Sequence, residues 1–125
     1  TLVANGSDVY LEHRAAGILR KEGLNVRVVS MISPRLFRVQ SKDYRDSVLV
    51  PWTPVLALSS GLPLLFERAL DGFGKTVGLE RFGASAPASV LEQKFGYVPD
   101  AVVAQAKLYL AEYRENVAAF RKANG

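Results

Sequence analysis

The sequence predicts an α/β fold: a three-layer α/β/α sandwich around a mostly parallel sheet of four to five strands. Two observations carry this prediction. Short apolar segments of strand type alternate with segments of helical periodicity, and the joints between them are short. The 125 residues suit one domain over 1–125, which is large enough to bury a substantial core.

The first predicted unit is a strand, a helix and a second strand. Residues 2–4 (LVA) form a short apolar run of the kind that is buried on both faces of a sheet. Ser7 fits the N-cap of the helix that follows, and Gly23 fits its C-terminal end. Residues 25–30 (NVRVVS) return as a β-branched strand, so the two strands should pair in parallel through a right-handed crossover.

A short helix is predicted after this unit, with Ser33 as its N-cap and Pro34 in its first turn. We expect both Leu36 and Phe37 to pack inward from it. The remaining predicted elements are a helix over 41–49, a strand over 54–58, one or two helical turns within 62–70, a strand over 76–79, a helix over 85–95 and a last helix from Pro99 to about Lys122.

Composition removes several classes of function. There is no cysteine, which excludes disulfides, thiolate catalysis and cysteine-bound metals and favours a reducing, cytoplasmic compartment. No apolar run approaches the roughly 20 residues of a membrane span. The net charge of +4 comes from scattered cations, so no nucleic-acid surface is predicted. His13, the only histidine, lies between Glu12 and Arg14 and is expected to be a solvated helix residue.

Two loops are candidate anion sites, because free amides at a helix start attract negative charge. The first contains Gly6 and Ser7 and follows the first strand. In open α/β sheets ligands settle at this end of the strands. Asp8 and Glu12 already supply negative charge to this helix, so helix capping by Ser7 is the favoured interpretation.

The second candidate loop contains Gly83, Ala84, Ser85 and Ala86 and leads through Pro87 into a predicted helix. It is either a backbone cradle for an anion or a closely packed joint against another piece of protein. Pro87 lacks an amide donor and Arg81 is the one nearby cation, which favours packing.

In the last helix an aromatic stripe predicts a core or subunit contact rather than a platform for bases; its residues are Tyr109, Tyr113, Val117 and Phe120.

Several of these segments, in order along about residues 3–107, resemble the C-terminal domain of transketolase. They are NGSDV at 5–9, VRVVSM at 26–31 with the downstream Ser33, Leu36, Phe37 and Gln40, YRDSVL at 44–49, FGASAP at 82–87 with Gly78, Leu91 and Phe95-Gly96, and Val102, Val103, Ala106 and Lys107. The FGASAP string is the most specific of them. Residues 59–67 and the tail over 108–125 depart from the family pattern, which leaves a dihydroxyacetone synthase-like relative open.

The resemblance implies an enzyme that moves a two-carbon ketol unit from a ketose phosphate to an aldose phosphate in the pentose phosphate pathway. It implies thiamine diphosphate and a divalent cation, Mg²⁺ or Ca²⁺, held by two upstream domains of a cytoplasmic or organellar homodimer. No catalytic, cofactor-binding or metal-binding residue is then expected in this segment. The segment would pack against the other domains and help the dimer, with neither nucleic acid nor membrane as a partner.

Three further expectations follow at this stage. The chain opens on Thr1 inside a predicted strand, so we expect a piece of a longer polypeptide whose thiamine-binding domains are absent here. A small-residue loop at 83–87 suits the close approach of two backbones at a joint between domains. The alternative function, of a different class, is a small regulatory module that binds a phosphate or another anion at one of the two loops.

Overall fold

The computed structural model describes residues 1–6, 8–59, 64–70, 74–78 and 99–125. Within this part of the chain the strands are β1 (Leu2–Ala4), β2 (Val28–Ser30), β3 (Leu56–Ser59) and β4 (Lys75–Gly78). The helices are α1 (Asp8–Lys21), α2 (Pro34–Arg38), α3 (Lys42–Val48), α4 (Leu64–Glu67) and α5 (Pro99–Asn124). The predicted helix over 85–95 lies outside the described residues.

The four strands form one sheet in the order β2-β1-β3-β4, and every neighbouring pair is parallel. Leu2 lies beside Val28 on one side and Leu56 on the other, and Leu56 lies beside Lys75. The predicted α/β class, the parallel sheet and the first strand-helix-strand unit are confirmed. The second strand is shorter than predicted, since only Val28–Ser30 of residues 25–30 join the ladder.

Side chains of the central strands alternate between the two faces of the sheet, as strand geometry requires. On one face Leu2, Ala4, Leu56 and Leu58 pack against Ala15, Ala16 and Leu19 of α1 and Val102 and Val103 of α5. On the other face Val3, Val55 and Ala57 pack with Met31, Phe37 of α2, Phe66 of α4, Ala69 and Leu70. The sheet therefore lies between two helical layers, as the sequence predicted.

Local signals fix the ends of the helices. Gly23 adopts φ +88° after α1, its N–H bonds the Arg20 carbonyl at 3.0 Å and the Leu24 N–H bonds the Leu19 carbonyl at 3.1 Å. This is the Schellman arrangement that ends many helices. The Ser33 hydroxyl accepts from the Leu36 N–H at 3.2 Å and the Ser41 hydroxyl from the Tyr44 N–H at 3.3 Å. Both serines are thus the N-caps of α2 and α3, as predicted for Ser33.

The expectation that both Leu36 and Phe37 pack inward is half wrong. Phe37 is 8% exposed, whereas Leu36 is 62% exposed. Consecutive helix residues point roughly 100° apart, so a five-residue helix that lies flat on the sheet can bury one of them and not the other.

The long C-terminal helix α5 packs on the sheet near its start and extends beyond it. Val102 and Val103 are buried, Tyr109, Tyr113 and Val117 are half-buried, and Phe120 is 66% exposed. Ion pairs join Lys107 to Glu22 at 2.5 Å and Lys75 to Glu112 at 3.5 Å. Among the described residues the predicted stripe therefore contacts the rest of the chain through its first members, and Phe120 at its end is largely exposed.

Candidate functional site

The loop after β1, which holds the first candidate site, forms a turn through Gly6. Gly6 adopts φ +57°, a conformation that residues with a Cβ adopt rarely. The Asn5 carbonyl accepts from the Asp8 N–H at 3.2 Å, and the Gly6 carbonyl accepts from the Val9 N–H at 3.3 Å. Ser7 lies outside the described residues, so its capping role stays a prediction.

Two carboxylic acids lie buried directly after this turn. Asp8 and Glu12 are one helical turn apart on α1, with 7% and 0% of their surfaces exposed. Neither Glu12 carboxyl oxygen makes a hydrogen bond of normal geometry. Burial raises the pKa of Glu12 to about 9, the nearby Asp8 carboxylate raises it further, and the proximity of the Leu58 backbone lowers it in part. The first turns of α1 therefore place two acidic side chains where they are shielded from water.

This arrangement opposes an anion at the turn. A phosphate beside Gly6 would approach the Asp8 carboxylate, whose like charge offsets the attraction of the helix amides, and the protonated Glu12 beside it supplies no compensating positive charge. The interpretation of Gly6 and Ser7 as a structural turn is favoured over an anion site on this ground.

The burial of Glu12 was not predicted from the sequence, which indicated only that Glu12 places negative charge near the helix start. A signal was present. Glu12 precedes Ala15, Ala16 and Leu19 by three, four and seven positions, which is the spacing of a core-facing stripe. The charge of Glu12 favours an exposed position, whereas its spacing from these residues favours the core. The structure shows that Glu12 is buried, as the spacing indicates.

The other predicted candidates fall into two groups. Gly83, Ala84, Ser85 and Ala86 lie outside the described residues, so their role stays a prediction. His13 is exposed on α1, in keeping with a solvated residue. Within the described part of the chain no three His, Cys, Asp or Glu side chains lie close enough together to hold a metal ion.

A groove of about 450 Å³ opens at the edge of the sheet where the strands begin, opposite the Gly6 turn. Its wall is mostly apolar and includes Leu2, Leu19, Leu56, Tyr109 and Leu110. The described residues that line it include neither a carboxylate nor an imidazole, the groups that most often act as general acids and bases. One lining cation, Arg27, donates from both terminal nitrogens to the Ser47 carbonyl at 3.3 Å.

An exposed apolar surface lies on the opposite side of the sheet from α1 and α5. Five large side chains in and beside α2 and α4 form it, each between 51% and 90% exposed: Ile32, Leu36, Val39, Leu64 and Leu65. We call these residues the α2–α4 surface. Exposed basic residues accompany it, namely Arg35, Arg38 and Arg68. Exposed apolar side chains on two helices that contact each other are typical of interaction sites. Separately, none of the helices in the described ranges has the length and apolar character needed to cross a membrane.

Comparison with known proteins gives consistent matches. The family model described as "Transketolase-like TK C-terminal domain" matches residues 1–98. Transketolase 7 of Craterostigma plantagineum is 45% identical over 107 residues, which are 85% of this chain and 16% of the relative. The plasmid transketolase of Cupriavidus necator is 40% identical over 111 residues, 89% of this chain and 17% of the relative.

Solved structures agree with the sequence relatives. A transketolase from Leishmania mexicana superposes with a TM-score of 0.79 at 38% identity and covers 90% of this chain and 16% of its own. A Pichia stipitis transketolase in complex with sedoheptulose-7-phosphate superposes with a TM-score of 0.82 at 31% identity, covering 91% and 16%. In each case this chain spans less than a fifth of the matched protein.

Proposed function

This chain belongs to the family of transketolase-like C-terminal domains, and from that premise we propose that it is the C-terminal domain of a longer transketolase-type enzyme and serves to pack domains together. The parent enzyme would transfer a two-carbon ketol unit from a ketose phosphate to an aldose phosphate. The relatives named above are transketolases, so a dihydroxyacetone synthase-like parent is not favoured. Nor is a free-standing phosphate-binding module, since the Asp8 carboxylate opposes an anion at the Gly6 turn.

The observation that carries the packing role is the exposure of large apolar side chains around a well-packed core. Trp52 is 83% exposed, Phe120 66% and the five residues of the α2–α4 surface at least 51%. The free energy falls when another protein surface covers exposed apolar area of this extent. The domain is therefore suited to burial against neighbouring domains of its own polypeptide and against a second subunit.

The proposal assigns thiamine diphosphate and its Mg²⁺ or Ca²⁺ to the preceding domains. The residues described here do not fit the cofactor. No cluster of three metal-ligating side chains is present within the described ranges, and the Asp8 carboxylate at the start of α1 would repel a diphosphate. We derive no catalytic step through the cofactor in this domain for that reason.

The remaining parts of the proposal concern the parent enzyme. It would act on sugar phosphates of the pentose phosphate pathway as a homodimer in the cytoplasm or in an organelle, with neither nucleic acid nor membrane as a partner. The chloroplastic transketolase of Spinacia oleracea, 39% identical over 107 residues, supports the organellar possibility. Salt-dependent retention of the domain on heparin would contradict the exclusion of nucleic acid.

Calorimetry and an activity assay test the catalytic part of this proposal. Thiamine diphosphate with Mg²⁺ is titrated into the isolated chain, and ketol transfer is assayed with a ketose phosphate and an aldose phosphate. We expect no stoichiometric binding and no turnover, with a full-length transketolase as the positive control. A tight one-to-one binding isotherm, or turnover by the isolated chain, would refute the assignment of catalysis to the preceding domains.

A further inference from the structure

The two faces of the sheet are covered by helices of very different size. One face carries α1, of 14 residues, and α5, of 26 residues. In the described part of the chain, the other face carries α2, of five residues, α4, of four, and the end of α3, of seven, whose Val48 packs against the core there. A layer made of such short helices presents little polar outer surface of its own, so its outer side chains decide whether a further layer can pack on it.

Each of the helices α2 and α4 buries one aromatic residue and exposes its neighbour. In α2 Phe37 is 8% exposed and Leu36 62%. In α4 Phe66 is fully buried and Leu65 is 55% exposed. Both helices therefore contain more apolar side chains than the core of this domain accommodates.

The exposed neighbours belong to one surface. α2 and α4 contact each other, and Phe37 and Phe66 belong to the same core cluster. Both helices follow strands of the same parallel sheet, β2 and β3, which pair on either side of β1. The α2–α4 surface is thus a shared feature of two elements rather than a set of scattered single residues.

The charged residues on α2 and α4 and directly after α4 are three arginines and one glutamate, so these two helices have mainly one sign of charge. Arg35 and Arg38 are exposed on α2, and Arg68 is exposed directly after α4. The carboxylate within these helices, Glu67, accepts a hydrogen bond from the Thr76 hydroxyl at 3.4 Å. An apolar centre with a basic margin selects a partner with the complementary pattern, an apolar centre with an acidic margin.

We propose that the α2–α4 surface is the face through which this domain docks, within one polypeptide, onto the preceding part of a transketolase-type chain. The docking site there is apolar with acidic side chains at its margin. This inference rests on the proposed function. The matched relatives are much longer than this domain, which is 16% of Transketolase 7, so a large covalently linked surface is available to cover the face.

A chimera tests the inference. This chain replaces the matching segment of Transketolase 7 of Craterostigma plantagineum, and Leu36→Asp and Leu65→Asp are introduced separately. Tyr10→Asp is the matched control, because Tyr10 is 68% exposed and lies on α1, on the opposite side of the sheet. The readouts are ketol transfer and the initial rate of tryptic cleavage at the junction before this domain.

We expect Leu36→Asp and Leu65→Asp to raise the junction cleavage rate about tenfold, since a charge replaces an apolar anchor in a covered interface. Tyr10→Asp leaves the rate unchanged. In the isolated chain all three variants retain the urea midpoint of the wild type, which shows that the effect in the chimera is not a loss of folding. A charge reversal, Arg38→Glu, should act in the same direction and do so more strongly at low salt.

The outcomes separate this inference from the proposed function. If the chimera with the wild-type domain shows no ketol transfer, the proposed function is refuted and the docking inference with it. If the chimera is active and Leu36→Asp and Leu65→Asp behave like Tyr10→Asp, the docking face is wrong while the proposed function stands. If the isolated chain sediments as a dimer that Leu36→Asp dissociates, the occupant is a second copy and the inference is overturned.

Discussion

The hydroxyl oxygen of Tyr109 accepts a hydrogen bond from the backbone N–H of Val55 at 3.3 Å, which ties the middle of α5 to the start of β3. One turn further along α5, the Tyr113 hydroxyl donates to the carbonyl of Trp52, a residue held at φ +64°. The two tyrosine rings lie 6.3 Å apart. Burial raises the pKa of Tyr109 although the Val55 N–H lowers it in part. α5 is therefore fastened to the sheet by hydroxyl groups as well as by valines.

Tyr109→Phe should destabilise the domain by about 1–2 kcal/mol, because the half-buried Val55 N–H loses its acceptor. Tyr113→Phe is the control and should cost about 0.5 kcal/mol or less, because water can replace its hydroxyl at the exposed Trp52 carbonyl. Urea unfolding of both variants measures the difference. Equal losses would show that the two hydroxyls are equivalent and that the Val55 contact has no special weight.

The buried carboxyl group of Glu12 should make stability depend on pH. Its pKa rises from 4.5 to about 9 on folding, so the folded state retains a proton that the unfolded state releases in between. Stability is then fully present below about pH 4.5 and declines by up to about 1.4 kcal/mol per pH unit toward pH 9. Glu12→Gln removes this titration, so the variant should be the more stable protein at pH 8, by several kcal/mol.

Chemical unfolding at pH 5, 6.5 and 8 gives the comparison between wild type and Glu12→Gln. Glu115→Gln serves as the matched control, since Glu115 is exposed on α5 and the same change there should leave the pH profile intact. Parallel pH profiles for wild type and Glu12→Gln would mean that Glu12 is ionised and solvated in the folded protein, contrary to its burial.

Local sequence signals predicted much of the fold. Ser33 and Gly23 act where caps are expected, because the geometry of a helix end depends on a few neighbouring residues. The strand over residues 2–4 was also predicted correctly, since a strand buried on both faces is uniformly apolar. These features need no knowledge of distant residues.

Features set by tertiary contacts were not predicted. Leu36 and Phe37 are both apolar and adjacent, and the position of α2 on the sheet decides which one is covered. The burial of Glu12 depends on how α1 lies across β1 and β3, which outweighs the preference of a carboxylate for water. Of the candidate site, the sequence predicted that the loop with Gly6 follows the first strand, whereas the left-handed conformation of Gly6 and the burial of Asp8 and Glu12 are seen only in the structure.

Substituting alanine for two glycines should change the stability of the domain in opposite directions. A Cβ on Gly74 would lie 2.5 Å from Leu70 Cδ1 and 2.9 Å from the Val55 carbonyl oxygen, so Gly74→Ala should cost about 1–3 kcal/mol through overpacking. A Cβ on Gly17, within α1, would meet nothing within 4 Å, so Gly17→Ala should stabilise by about 0.5–1 kcal/mol through helix propensity. Thermal unfolding measures both. A stabilising Gly74→Ala would contradict the close packing of this turn against Leu70.

The neighbouring pair in α2 gives the sharpest test of how that helix lies on the sheet. Phe37→Ala should destabilise the isolated chain by about 3–5 kcal/mol, because it leaves a cavity beside Phe66 in the core. Leu36→Ala should change stability by less than about 0.5 kcal/mol, because the side chain is 62% exposed. Alanine replaces the residue in both variants and forms helices well, so helix propensity does not account for a difference in stability of this size. Urea unfolding of the two proteins decides the matter, and comparable losses would mean that α2 is rotated and buries Leu36 as well.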